Sequence, residues 1–163
     1  MAFERDKTLC FTGHRYYAGG AEDGRRLAEA LETAFADGFR VFISGVAEGF
    51  DLAAAEAVLQ LRERHPGVKL VAAVPFRRQA AKYGADDRRR YERIISLADE
   101  TAILSERYDY GCYYRRDDWM TDRSSRLVCW YDGSEGGTRY TVRSALRLGL
   151  KIVNIYKEPD TLF

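Results

Sequence analysis

Three stretches of this chain set glycine beside hydroxyl and charged residues in a way that can meet an anion: Phe11-Thr12-Gly13-His14-Arg15, Ser44 through Asp51 (SGVAEGFD), and Asp132 through Thr141 (DGSEGGTRYT). The third is the most explicit. A short apolar run, Leu127 to Tyr131, reads as a buried strand, and Asp132 to Gly137 can only be a turn. Thr138 stands where it would cap a helix carrying Val142, Ala145, Leu146 and Gly149 at helical spacing. Strand, glycine turn and helix start together leave backbone N–H groups unpaired, and phosphate or carboxylate binds to such groups. In the first stretch Gly13 permits a tight turn. Arg15 offers a planar fork of donors, and His14 a donor that titrates near neutrality. In the second, Gly45 and Gly49 let backbone approach a ligand closely. Asp51 either accepts hydrogen bonds from ribose hydroxyls or loop amides, or caps the helix that follows. Glu48 is a carboxylate base without a visible partner, so Glu48 and Asp51 are the only catalytic candidates.

The remaining charged and aromatic residues read as structural. His65 beside Pro66 belongs to a helix end. The arginines from Arg77 to Arg93 and from Arg115 to Arg126 alternate with aspartates, the pattern of solvated, ion-paired helix faces. Tyr113, Tyr114 and Trp119 are assigned to packing or subunit contacts, with the option that one covers a base. Nucleophile-elbow, zinc-protease, complete Walker and dinucleotide-fingerprint motifs are all missing, so spacing alone gives a ligand class and no reaction.

These turns need a scaffold, and hydrophobic patterning supplies one. Strands are expected over 7–12, 40–44, 68–74, 101–104, 127–131 and 151–156. The first helix starts near Glu22, with Leu27, Leu31, Ala34 and Phe35 on its buried stripe, and stops at Gly38. An alanine-rich helix reaches Arg64. A helical stretch from Arg77 is broken at Gly84 and resumes under an Asp86 or Asp87 cap, burying Tyr91, Ile94, Ile95 and Ala98. A short helix is expected around 116–124. Strictly alternating strands and helices predict a three-layer, Rossmann-like α/β fold with a mainly parallel sheet of about six strands, in a single domain over 1–163. Ligands of such sheets bind beyond the carboxyl ends of the strands, where strand order reverses, and all three glycine turns are carboxyl-end turns.

Composition limits the function classes. With 26 Lys+Arg against 25 Asp+Glu, the net charge is +1, which argues against a general polyanion surface and makes nucleic acid an unexpected partner. Three scattered cysteines without a CxxC pair suit a reducing cytoplasm and give neither a disulfide framework nor a metal site. The charged N-terminus lacks a signal-peptide core and no apolar run is long enough to span a membrane.

Taken together, FTGHR at Phe11–Arg15, SGVAEGFD at Ser44–Asp51, VPF at Val74–Phe76, GCYYRRDDWMTDRSS at Gly111–Ser125 and YDGSEGGTRYT at Tyr131–Thr141 resemble the SLOG superfamily of Rossmann-like domains. That group includes the Lonely-guy phosphoribohydrolases and the DNA-processing protein DprA, and the likeness is strongest to its YpsA-like single-domain branch. The resemblance implies a pocket for a nucleotide or a nucleotide derivative such as ADP-ribose or NAD, walled by Gly13, Ser44, Gly45, Gly49, Asp51, Gly136, Gly137 and Thr138. Within the same motifs Pro75, Phe76, Asp122 and Thr141 complete the candidate set. It also implies a homodimer or larger homo-oligomer. Lonely-guy enzymes carry a catalytic glutamate three residues after the threonine of the glycine turn, and here that place is Thr141. The expectation is therefore a binding or sensor protein. A phosphoribohydrolase or deoxyribosyltransferase-like enzyme acting at ribose C1 is the alternative, and a DprA-like binder of single-stranded DNA comes third.

Overall fold

A computed structural model describes residues 1–158. After a 3-10 turn at Arg5–Lys7, the order is β1 (Thr8–Gly13), α1 (Ala21–Ala36), β2 (Val41–Ser44), α2 (Phe50–Arg64), β3 (Lys69–Val74), a second 3-10 turn (Gln79–Lys82), α3 (Ala85–Leu97), β4 (Glu100–Ile103), α4 (Cys112–Asp122), β5 (Arg126–Trp130), α5 (Gly137–Arg147) and β6 (Lys151–Asn154). The six strands form one sheet in the order β4-β3-β2-β1-β5-β6. Every pairing is parallel, so the expected mainly parallel sheet is wholly so.

Side chains alternate along the strands and divide the core into two layers. Leu9, Phe11, Phe42, Leu70 and Val128 face one side, where Leu27, Leu31 and Ala34 of α1, Val58 and Leu61 of α2 and Ile94 of α3 meet them. Cys10, Ile43, Val71, Leu127 and Cys129 face the other, against Met120 of α4 and Val142 and Ala145 of α5. Burial on both faces is why these strands read as unbroken apolar runs rather than as alternating ones. Phe35, on the first helix's expected stripe, is half-buried and stacks on His65 at 3.8 Å, which accounts for that histidine structurally.

The winding reverses between β1 and β5. From β1 the chain builds outward through β2, β3 and β4, then returns to lay β5 on the other side of β1. The carboxyl ends of β2, β1 and β5 are therefore neighbours, although 31 residues separate Gly13 from Ser44 and 86 separate Ser44 from Trp130.

Two caps differ from expectation. Asp86 and Asp87 lie within the first turn of α3, whose N-cap is Gly84. Thr138 is the second residue of α5, capped by Gly136 at φ +134° without a side-chain bond. At α5 glycine supplies a left-handed backbone that a polar cap would not adopt; at Gly84 the backbone is ordinary, and no side chain caps the helix. In addition α4 starts at Cys112, four residues before the helix expected at 116.

Gly49 shows how strictly the scaffold constrains one turn. It has φ +84°, and a Cβ placed there would stand 2.4 Å from the Arg15 carbonyl oxygen. Gly38 is also left-handed, at φ +100°, but a Cβ there meets nothing. Gly38→Ala carries backbone strain alone, about 1–2 kcal/mol. Gly49→Ala adds a clash with immobile backbone, and the expected loss is about 3 kcal/mol or more. Urea denaturation of the two variants checks the order.

Candidate functional site

The three turns are tied together by His14. Its carbonyl accepts from the Phe50 amide at 3.2 Å, joining the turn after β1 to the start of α2. Its imidazole Nε2 lies 2.9 Å from Asp132 Oδ1 and 3.2 Å from the Asp132 amide nitrogen, joining it to the turn after β5. A neutral ring accepts from the amide, and an Nε2–H donates to the carboxylate. The imidazole is buried, stacked on Tyr16 at 4.7 Å between ring centres and edge-on to Trp130. Hydrogen bonds from the Ser134 and Tyr16 hydroxyls hold the Asp132 carboxyl below the usual carboxylate range. His14 thus spends its carbonyl and Nε2 within the protein, while the residue still lines the adjoining hollow.

Around this knot lies a hollow of about 500 Å³, lined by Gly13, His14, Arg15, Asp51, Gly137 and Thr138 among the expected residues. The first-turn amides of α5 open here without intrahelical partners. Thr138 is buried and Gly137 exposed. The Arg15 guanidinium is solvent-facing, 5.9 Å from the ring centre of Tyr113.

Other expected residues support the walls from behind. Ser44 is fully buried; its hydroxyl donates to the Asp51 carbonyl at 2.8 Å and accepts from the Val46 amide at 3.1 Å. Gly13 makes room for the Phe50 ring, which a Cβ would meet at 2.4 Å, and Gly45 makes room for the Arg116 guanidinium at 2.7 Å. Gly49 abuts Arg15 backbone. All three glycines admit the protein's own groups; for Gly45 and Gly49, close approach of backbone to a ligand had been expected, and Gly13, expected to allow a tight turn, also lines the hollow. Thr141 is buried and donates to the Gly137 carbonyl at 3.2 Å. Pro75 is buried behind the site, and Phe76 and Glu48 line an adjoining cleft of about 650 Å³. Asp122 is not brought to the hollow: it is exposed at the far end of α4, ten residues and about 15 Å along the helix from Cys112.

The floor comes from residues that the sequence had assigned elsewhere. Arg116 belongs to one of the supposed solvated clusters, yet it is 5% exposed. Its Nε donates to Asp117 Oδ1 at 2.7 Å and its Nη1 to the Gly45 carbonyl at 2.7 Å. Tyr113 and Tyr114 stand on the pocket wall with Tyr108 and Tyr110, not solely in packing. Trp119 does pack, edge-to-face on Phe3. Helical spacing carried a signal for Arg116: it falls on the stripe of Cys112, Met120 and Thr121, all buried. Val46 is a further surprise, a β-branched residue at φ +48°, held by Ser44 and by the Tyr83 hydroxyl, which donates to its carbonyl at 3.0 Å. Such strain persists only where neighbours over-determine it.

Three ionisable groups are thus buried together. Burial pushes Asp117 up against the opposing pull of Arg116. Asp51 is 6% exposed, in the first turn of α2; its Oδ2 accepts from the Ala47 amide at 3.4 Å and its Oδ1 has no partner. Burial raises it to about 7, although Arg116 works in the opposite direction. The Arg116–Asp117 pair is internally neutral, so a protonated Asp51 leaves the floor uncharged, while Arg15 and the α5 end keep the mouth positive.

These features define a class: a doubly wound, all-parallel α/β protein with a ligand-sized, positively biased hollow at the switch point of its sheet. The chain belongs to the YspA SLOG family, whose model matches residues 24–152. It is 34% identical over 110 residues to the SPbeta prophage-derived protein YoqJ of Bacillus subtilis, a match spanning 60% of this chain and 64% of that protein. A UPF0398 protein of Bacillus cereus is 32% identical over 129 residues, covering 77% of this chain and 70% of its own length. Among solved structures, DNA processing protein A from Streptococcus pneumoniae aligns with a TM-score of 0.64 at 18% identity, over 89% of this chain and 48% of that one. DprA from Helicobacter pylori gives 0.65 at 14%, over 91% and 64%. At such identities the two share a fold with this chain. No helix among the described residues is long and apolar enough to cross a membrane.

Asp51 gives the site a pH signature. The folded chain keeps this proton up to about pH 7, whereas the unfolded chain releases it near 3.8. Between those values the folded state holds the extra proton, so stability falls as pH rises, by on the order of 4 kcal/mol in all. Asp51→Asn is expected to flatten that fall, as read by denaturant unfolding from pH 4 to 8.

Proposed function

We propose that this protein binds a nucleotide or nucleotide derivative, with a phosphate on the Gly137–Thr138 helix end and near Arg15, and the sugar towards Asp51. The observation that carries the reading is the meeting of the turns after β1, β2 and β5 around one hollow of about 500 Å³. A volume in that range suits a small organic ligand. Helix-end amides and Arg15, which makes no ion pair among the described residues, favour its anionic part. The unpartnered Asp51 Oδ1 suits a hydroxyl donor. Three buried free cysteines accord with a protein of the reducing cytoplasm.

Binding without turnover is the favoured form of the reading, because Thr141 stands at the place of the Lonely-guy glutamate and its hydroxyl is engaged with Gly137. The enzymatic alternative, cleavage or transfer at ribose C1, draws on a different observation: the carboxyls of Asp51 and Asp117 share the floor, and that of Asp51 is protonated up to about pH 7. Released base or ribose phosphate after incubation with a nucleotide panel would favour that alternative.

Gly137→Asp tests the anion site. A Cβ at this position meets no atom within 4 Å, so the fold should tolerate it, while the new carboxylate would repel a phosphate. Calorimetry is expected to show nucleotide binding lost with the unfolding midpoint little changed. Unaltered affinity would refute the reading.

A further inference from the structure

We propose that the cleft beside the anion pocket takes a second nucleotide unit, so that the ligand is a dinucleotide, two nucleosides joined through phosphate. This rests on the reading of the anion pocket given above. The cleft encloses about 650 Å³ and shares Arg15, Tyr108 and Tyr113 with that pocket, so the two hollows are adjacent and each is large enough for one unit.

Its walls match the parts of a nucleotide. Phe76 meets Tyr108 edge-to-face at 5.6 Å and Tyr113 at 6.0 Å, forming an aromatic wall of the kind on which bases pack. Gln79 is 6% exposed and lies on the same wall. Its Nε2 donates to the Gly45 carbonyl at 3.0 Å, which fixes the amide so that Oε1 is the atom left buried without a partner. That atom calls for an N–H donor. The backbone nearby is rich in acceptors, with the Gly45 and Val46 carbonyls already serving Gln79 and Tyr83. A base presenting an amino group fits such surroundings better than one presenting carbonyls. Finally Arg78, Lys82 and Arg107 join Arg15 around the cleft, and none of the four makes an ion pair among the described residues. Glu106 is taken up by Arg77, and Glu48 holds its proton to higher pH through burial and the neighbouring Asp87. The uncompensated charge around the aromatic wall is positive.

A strand of nucleic acid would need a cationic track leading out of this cleft. Of the four arginines that follow on α3, Arg89 is tied to Asp86 and Arg90 to Glu56 and Asp87, Arg88 donates to the Ala81 and Tyr83 carbonyls, and Arg93 is left without an ion pair among the described residues. The net charge of +1 gives no broader basic surface, so a compact dinucleotide is the better fit.

Calorimetry with inorganic phosphate, AMP, diadenosine pyrophosphate and a twelve-residue oligodeoxyadenylate tests this on the intact protein. Diadenosine pyrophosphate is expected to bind at least about tenfold more tightly than AMP. In the variant carrying Arg78→Glu and Lys82→Glu, and separately in Arg107→Glu, that advantage should shrink while AMP affinity holds; all three residues line the cleft and not the anion pocket, and all are exposed, so the fold is not at stake. Equal affinity for AMP and diadenosine pyrophosphate, unmoved by the variants, would overturn the second subsite and leave the anion pocket standing. Tighter binding of the oligodeoxyadenylate, weakening steeply with salt, would overturn it in favour of a nucleic-acid strand. Failure of phosphate, AMP and diadenosine pyrophosphate alike would remove the anion pocket itself, and this proposal with it.

Discussion

Everything at the carboxyl end of the sheet depends on one buried imidazole. His14 links the turn after β1 to α2 through its carbonyl and to the turn after β5 through its ring. Without those links the glycine loop 133–137 would rest on the Tyr16 hydroxyl, its strand and its helix, and loops so rich in glycine lose much entropy on ordering. Tyr16 stacks on the ring and Trp130 meets it edge-on, so its orientation towards Asp132 is fixed by packing on both. A residue type associated with catalysis and metal binding serves here as a hinge pin for the pocket.

The second constraint is electrostatic. A buried arginine is tolerable only with its charge answered and its donors used. Arg116 meets that demand with Asp117 and with the Gly45 carbonyl, so the same contacts that neutralise it also fix the second turn. Asp51 is then left as the group that must give up its charge. Gly45 follows from the same requirement, since any side chain there would collide with the guanidinium. Gly13, Gly45 and Gly49 are explained by what they let the protein pack against itself, whereas the glycines at the start of α5 abut nothing.

The scaffold was legible because it rests on local regularities. Continuous apolar runs such as Leu127–Trp130 mark doubly buried strands, and the stripe of Leu27, Leu31 and Ala34 marks a helix face. Placing three glycine turns at carboxyl ends needed only strand order along the chain. Misreadings arose where a residue's role depends on a distant partner. The charge of Arg116 suggested solvent, and only the position of α4 across the ends of β2 and β3 puts it inside, against Gly45 and Ala73. Asp122 belongs to the same motif-bearing helix, yet at its opposite end.

The sequence by itself determined the fold class, the alternation that makes the sheet parallel, and which glycine turns share the carboxyl edge of the sheet, because periodicity and glycine chemistry act over a few residues. Tertiary structure alone decided which charged groups are buried, that His14 ties the turns together, that Tyr108 and Tyr113 line the hollow, and that Asp51 holds a proton near neutrality. Those outcomes come from desolvation and pairing between residues tens of positions apart, and no local pattern encodes them.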